Sequence, residues 1–486
     1  MATKVVLANS VGVDSSGRYI IHSPSRWTTS VAQNPFTWYP WELAYLSSLL
    51  KRDTDCDVLM VDGCLEQLNV ESYAARIIPE NPDFLVMESS TRTIRDDMAM
   101  AVKVKEATGA KLIFCGPHPS VFPEDTLKTA DYVCQGEYEL TVMDIVTGKP
   151  EASILGLYPN ERRKIIEDIN SLPWPEDDDI SRIAYGTPGV PGTNYLEVQM
   201  YASRGCPFQC NFCVCGNLYY DRPNWRPREI EDVMAEISYL KKKYPEMTGV
   251  FFDEESHNQD PKHFDRFLDA IIAHGHNDLH YVAMGSYSTL NPDLIRKMKR
   301  AGYYQMRVGI ETASEKVADG IGLRGKFDLE KLKNTLRIAR DEGIETYGTF
   351  IFGARGSSVP EDQKTIDLMQ EIVKEKLLTE LQVSIATPQP GTPFYIWADE
   401  NDYLVTKNWE DYDGGCGAVV SYPDYRKDQI DMMFQKAVDI GRVYRGLQEA
   451  RRDGWIKVFR RAHNRVGTMG ILRAGINVLR SRLFDR

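Results

Sequence analysis

Cys206, Cys210 and Cys213 lie within eight residues, spaced by four and then three positions. They sit in the run Arg204-Gly205-Cys206-Pro207-Phe208-Gln209-Cys210-Asn211-Phe212-Cys213. Such thiols are soft ligands suited to an iron–sulfur cluster or to zinc. A structural zinc site draws four protein ligands, commonly in two pairs. Here three are grouped, and the nearest fourth, Cys215, is only two residues on. Three ligands on a four-iron cube leave one iron open to a substrate or cofactor. A small zinc knuckle, or thiols with no metal, is the alternative reading of the same residues.

These cysteines must be held by rigid elements. The mostly apolar run 195–202 predicts a strand, and the cysteines then leave its carboxyl end, where α/β folds place their chemistry. Beyond it, the pattern predicts strands at 249–253, 280–285, 305–310, 346–352 and 381–386. Helices are predicted between them at 227–244, 261–274, 291–301, 329–342 and 360–375, with Asn291-Pro292 in cap-then-proline order. Polar residues close several of these strands: Asp253, Glu254 and Glu255, then Ser286, then Glu311. Buried polar groups need partners, so these ends are candidate binding positions. Gln382 and Ser384 join them if their alternation faces inward. A pair between Arg307 and Glu311 is the purely electrostatic alternative.

Residues 1–150 predict a doubly wound α/β domain: strands at 4–9, 58–63, 83–88, 111–116 and 132–134, with helices at 41–50, 70–78 and 96–108. No GxGxxG is present, so a nicotinamide or flavin domain is not indicated. Small and polar residues gather after the strands: Asn9 and Ser10, Asp62, Ser89 and Ser90, His118, then Gln135, Gly136 and Glu137. A flat polar cofactor could lie across them at the carboxyl edge. Residues 151–189, rich in proline and acid around 172–179, read as a linker. Residues 396–486 read as a mostly helical carboxyl-terminal domain, whose loop at 409–417 could cover the barrel mouth.

Composition bounds the rest. With 486 residues, 42% apolar and 26% charged, the chain is an ordinary multidomain globular protein. Nine scattered cysteines do not make a disulfide scaffold, and a net charge of −12 argues against general nucleic-acid binding. No secretory signal and no spanning helix are expected. Residues 441–486 hold twelve arginines and lysines against three acids, interleaved with apolar residues. That segment could lie on a membrane surface, dock an acidic partner, or simply pack as a solvated helix.

The cysteine run resembles the CxxxCxxC motif of the radical S-adenosylmethionine superfamily, with Phe212 as its aromatic. Residues 36–46, Gly116-Pro117-His118-Pro119 and Gln135-Gly136-Glu137 resemble pieces of the cobalamin-binding domain preceding many such enzymes. The 387–395 turn resembles their PxPGTxxY element. The resemblance spans roughly residues 1–400 and implies a Rossmann-like cobalamin domain, then a partial (β/α)6 barrel over 190–395. It implies a 4Fe-4S cluster on Cys206, Cys210 and Cys213, S-adenosylmethionine on its open iron, and cobalamin. Asp253 and Glu254 would meet the methionine amino group, Ser286 the carboxylate or ribose, Glu311 the ribose, and Phe352 the adenine; no catalytic side chain is singled out. One departure is the absence of DxHxxG, whose histidine replaces the lower base of cobalt; the radical subgroup often lacks it. The implied reaction is methylation of an unactivated carbon by methylcobalamin and a 5'-deoxyadenosyl radical, or a cyclisation or skeletal change by the same parts, with or without bound cobalamin. A flavodoxin or ferredoxin would supply electrons, in a protected cytoplasm, to act on a small-molecule, lipid-like or peptide substrate.

Overall fold

The computed structural model describes residues 2–454 except 24–26, 34, 187–193, 221–222 and 324. Most of the basic segment expected at 441–486 therefore lies outside the described residues.

The amino-terminal sheet is built from short apolar strands buried on both faces. These are β1 (Lys4–Ala8), β4 (Asp57–Val61), β5 (Phe84–Glu88), β6 (Lys111–Cys115) and β7 (Tyr132–Val133). All pair in parallel in the order β4-β1-β5-β6-β7. Connections from the centre run both ways, so the order reverses between β1 and β5, the crevice where open α/β sheets bind ligands. An antiparallel hairpin, β2 (Tyr19–Ser23) and β3 (Trp27–Val31), is inserted after β1. The first helix, Trp41–Asp53, buries Leu43, Leu46, Leu49 and Leu50 at helical spacing.

Residues 151–186 contain no strand and no α-helix, yet they are firmly packed. Ile154, Leu157, Ile165, Ile166, Leu172 and Ile180 are buried against the first domain. Lys51 donates to Glu176 at 2.7 Å, and Arg182 pairs with Glu236 at 2.6 Å, both nearly solvent-free. The prolines forbid a ladder, and side chains satisfy the backbone instead.

The second sheet holds six parallel strands in sequential order: β8 (Glu197–Met200), β11 (Gly249–Phe252), β12 (His280–Gly285), β13 (Tyr303–Glu311), β14 (Glu345–Phe352) and β15 (Glu380–Ile385). The end strands β8 and β15 do not pair, leaving the barrel partial. Its helices start at side-chain caps, Asp260, Asn291, Asp328 and Ser358 each accepting from the first turn. Alternate residues such as Met200, Phe252, Val308 and Phe352 join one core with those helices. The opposite alternation carries Gln199, Phe251, Arg307, Thr349 and Gln382 toward the lumen.

The open side is not bare. The Tyr39 N–H donates to Gln199 Oε1 at 2.9 Å on edge strand β8, and Trp41 stacks on Tyr201 at 4.0 Å. The segment 35–41 thereby lays Trp38 against Phe251, 5.7 Å between ring centres, and beneath the Arg307 guanidinium at 5.8 Å. The side left open by the partial barrel is thus lined, along β8, by the amino-terminal domain. A final helix, Lys427–Asp453, packs on β15 and on the helix Val359–Glu375, with Ile430, Met433, Ala437 and Tyr444 buried. Among the described residues, no helix is long and apolar enough to cross a membrane.

Candidate active site

The cysteine loop leaves β8 through a two-stranded ribbon, β9 (Ser203–Arg204) and β10 (Arg226–Pro227), which forms its neck. Gly205 takes φ +87°, and a Cβ there would lie 2.3 Å from Asn224 Oδ1; only glycine opens the loop at this point. Within the loop, Asn217 Nδ2 donates to the carbonyls of Cys210 (2.9 Å) and Cys213 (2.7 Å). From outside, the Gly205 N–H donates to Glu255 Oε2 at 3.0 Å and Asn211 Nδ2 donates to the Gly320 carbonyl at 2.6 Å. A π-helical turn, Cys215–Tyr219, follows; such turns are frequent at functional sites.

All nine cysteines are free thiols, and Cys206, Cys210 and Cys213 are half-buried. Burial pushes the Cys206 and Cys210 thiols up to about 12. A hydrogen bond from Cys215, with backbone N–H groups of Cys215 and Gly216, holds Cys213 down to about 7. Cys215 itself is wholly buried. Lys326 lies beside this set, its Nζ 5.3 Å from the Phe208 ring centre. Burial opposes its charge, but Cys210, Glu311 and Cys206 outweigh burial and raise its pKa. Phe212 packs with Cys210, Ile321, Leu323 and Phe394.

In the barrel, Glu311 is the most distinctive position. The β13–β14 register shifts between Gly309 and Glu311, and Glu311 adopts φ +66°. A bulge re-aims a side chain, and a left-handed glutamate stores strain that persists only where its surroundings impose it. Burial pushes its carboxyl up while Lys326 opposes, and Thr349 Oγ1 donates to it at 3.4 Å. Ser286 is clamped by Asn258, which accepts from its N–H and donates to its carbonyl, both at 2.8 Å. Gln382 accepts from Tyr347 at 2.8 Å. Asp253 is buried at the end of β11. Glu254 Oε1 bonds His257 Nδ1 at 2.5 Å, and His257 Nε2 bonds Tyr303 at 2.7 Å, so one carboxylate oxygen is engaged by the barrel wall while Oε2 is buried with no hydrogen-bond partner among the described residues. Phe352 lies in the helix-side core, whereas its neighbour Ile351 joins Cys210 and Phe212. Period-two alternation makes that exchange.

In the amino-terminal domain the candidates separate into two groups. Asn9 and Asp62 are tied together: Asn9 Nδ2 donates to Asp62 Oδ1 at 2.7 Å, and Tyr185 donates to Asp62 Oδ2 at 2.5 Å. Ser10 bonds Thr93 at 2.8 Å and His22 at 3.1 Å. Gln135 and Gly136 bond Ser120, and Glu137 pairs with Arg226 at 2.7 Å. Ser89 is wholly buried beside them. By contrast, Ser90, Thr91 and Pro117 face a cleft whose other wall is Val214 and Leu218 of the cysteine loop, with Tyr412 from the carboxyl-terminal segment. His118 stands behind it, bonded to Thr91 at 3.2 Å; burial lowers its pKa to about 4. Gly391, at φ +81°, permits the 387–395 turn to close on both Val121 and Leu218.

Sequence reasoning had not singled out Asn217, Asn258 or Lys326. Asn217 stands four positions after Cys213, a spacing visible in sequence; Lys326 is 113 residues from Cys213, with no local signal.

A model of the B12 binding domain matches residues 28–146, and one of the radical SAM superfamily matches 200–369. An uncharacterised methyltransferase of Pyrococcus horikoshii is 28% identical over 414 residues, 82% of this chain and 86% of that protein. The anaerobic magnesium-protoporphyrin IX monomethyl ester cyclase of Rubrivivax gelatinosus is 23% identical over 359 residues, 69% of this chain and 62% of that protein. The structure of the radical S-adenosylmethionine methyltransferase TsrM from Kitasatospora setae, with cobalamin and a 4Fe-4S cluster bound, aligns with a TM-score of 0.63 at 18% identity. It covers 83% of this chain and 79% of that one, a likeness of fold.

These two domains call for a 4Fe-4S cluster, S-adenosylmethionine and cobalamin, and the residues present fit them. Three free thiols share one glycine-opened loop. A cube takes each thiolate on a separate iron, which suits three thiols spread along one loop. The loops after β5 and β6, with Ser90, Thr91 and Pro117, face Val214 and Leu218 of that same loop. The chain thus carries a B12-binding domain at 28–146 ahead of a radical S-adenosylmethionine domain at 200–369.

Proposed function

We propose that this protein is a cobalamin-dependent radical S-adenosylmethionine C-methyltransferase that methylates an unactivated carbon. The observation that carries this reading is the shared cleft: Ser90 and Thr91 at the switch point of the first sheet face Val214 and Leu218 of the cysteine loop. When bound, the cofactors supply hydrogen-atom abstraction from the substrate and a methyl group to replace that hydrogen. The chain's contribution is placement. Cys206, Cys210 and Cys213 would hold the cluster. Glu311 and Ser286 would orient S-adenosylmethionine at the barrel mouth. The apolar Val214 and Leu218 would keep water from the space between the two reacting faces. Tyr412 and Trp409 would cover it, since Trp409 also packs 5.8 Å from the His118 ring.

The test is anaerobic reconstitution with iron, sulfide and hydroxocobalamin, followed by quantification of each and a mass search for methylated product. About four irons and one corrinoid per chain, with a product heavier by one methylene unit, are expected. Four irons without corrinoid would reject the methyltransferase reading. Similarity to the Rubrivivax cyclase motivates a second reading, ring closure on a porphyrin-like substrate. Bound corrinoid with a product lacking the added methylene would favour it.

A further inference from the structure

Arg204 and Arg226 lie directly opposite each other on the β9–β10 ribbon. This ribbon is the neck of the cysteine loop, closing it before Cys206 and after Trp225. Both guanidinium groups reach out of the barrel into one turn of the amino-terminal domain. Arg226 donates to both carboxylate oxygens of Glu137, at 2.7 and 3.0 Å. Arg204 donates to Glu139 at 2.7 Å and stands 3.6 Å from Glu137. Tyr45 and Tyr220 cover them, with ring centres 4.5 and 4.9 Å from the two guanidinium carbons. Exposure is 7% for the Arg226 side chain and 2% or less for the other three. Glu137 also accepts from the Ile166 N–H at 2.7 Å, which holds its carboxylate in place.

We propose that Glu137 and Glu139 are positioning residues: through Arg226 and Arg204 they pin the neck of the cysteine loop to the B12-binding domain, and so set the spacing between cluster and corrinoid. The inference rests on Cys206, Cys210 and Cys213 being the cluster ligands.

Stability alone is a poor reason for this network. Buried ion pairs repay their desolvation only with good geometry and full satisfaction, and apolar replacements are often as stable. Here satisfaction is incomplete: Arg204 Nη2 and Glu139 Oε2, with Glu42 Oε1 and Glu88 Oε2 nearby in the same buried cluster, have no hydrogen-bond partner. What the network does supply is direction. A bidentate arginine–carboxylate pair fixes two planes relative to each other. A carboxylate at the amino end of the helix Glu139–Val146 also sits in that helix's favourable field. The ribbon has only two residues per strand, too little ladder to orient the loop by itself. The anchoring must come from its side chains.

The test compares wild type, E137Q and E137D, each anaerobically reconstituted with iron, sulfide and hydroxocobalamin. Iron content, thermal midpoint, cluster midpoint potential and the dipolar spin coupling between reduced cluster and cob(II)alamin are measured. In E137Q the Arg226 charge loses its counter-ion, and reduction of the nearby cluster becomes easier. A rise of about tenfold in the one-electron reduction equilibrium, about 59 mV, is expected. The spin coupling should broaden, because the loop no longer has one orientation. E137D keeps the charge and shortens the reach by one methylene; it should shift the coupling with little change in potential. Where E137Q fails to accumulate as folded protein, E137D carries the test through its coupling. Wild-type coupling in a folded, iron-replete variant would overturn the proposal, whatever happened to the thermal midpoint. Wild-type protein without four irons would overturn it too, and would be recognised as failure of the ligand assignment, because it would occur with no substitution made.

Discussion

Asn217 Nδ2 donates to the carbonyl of Cys213 at 2.7 Å, and the same nitrogen reaches the carbonyl of Cys210 at 2.9 Å. One amide therefore closes the turn that carries two of the three thiols. N217A should leave both carbonyls short of a donor, at a cost of about 1 to 3 kcal/mol. The expected result is a lower thermal midpoint for the reconstituted protein and faster iron loss to a chelator. Unchanged chelation kinetics would mean that the loop is held by its outer contacts alone.

The cysteines differ in what they should do. Replacing Cys206, Cys210 and Cys213 together by alanine should abolish the four-iron cluster and all reductive cleavage of S-adenosylmethionine. C215A should keep four irons, because Cys215 is wholly buried and bonded to Cys213. Iron retention in the triple variant would end the ligand assignment.

Glu311 separates stability from binding. Its φ of +66° costs about 1 to 3 kcal/mol in a non-glycine residue. E311G relieves that strain and removes a carboxyl that burial disfavours. The thermal midpoint should hold or rise while S-adenosylmethionine binds at least about tenfold more weakly, roughly 1.4 kcal/mol. Calorimetry and equilibrium dialysis on reconstituted protein read the two effects independently. Undiminished affinity would remove Glu311 from the binding site.

Glu42 gives a pH dependence with a defined direction. Burial pushes its carboxyl up from 4.5 to about 8, opposed by Arg204. Between those values the folded chain holds a proton that the unfolded chain has released. The resulting stability is full below about pH 4.5 and is lost as pH rises through 8, each pKa unit being worth about 1.4 kcal/mol. E42Q carries no such proton. The wild-type thermal midpoint should fall more steeply than that of E42Q between pH 5 and 8; parallel curves would contradict the assignment.

Trp38 joins two domains through packing alone. W38A should empty the space against Phe251 and Arg307 and cost about 3 kcal/mol. Denaturant unfolding measures the loss, and a change under about 1 kcal/mol would mean the segment 35–41 is held by Tyr39 and Trp41.

What the sequence alone determined is what short-range chemistry controls. The spacing of Cys206, Cys210 and Cys213 marked them as candidate cluster ligands, because ligand spacing is a local pattern. Alternating apolar strands and capped helices named two α/β units, because period two, period 3.6 and caps such as Asn291 are read within one turn or one strand. Asn9 and Asp62 were placed correctly at strand ends, yet the structure ties them to each other and to Tyr185, 123 residues from Asp62. Phe352 and Ile351 differ by one position, and only the packing of β14 decides which faces the cysteine loop. Glu137 reads as a cofactor contact in its local motif, but docking of the domains brings Arg226 to it across 89 residues. Such pairings depend on how whole surfaces bury one another. No local pattern encodes a partner that arrives only when two independently built units meet.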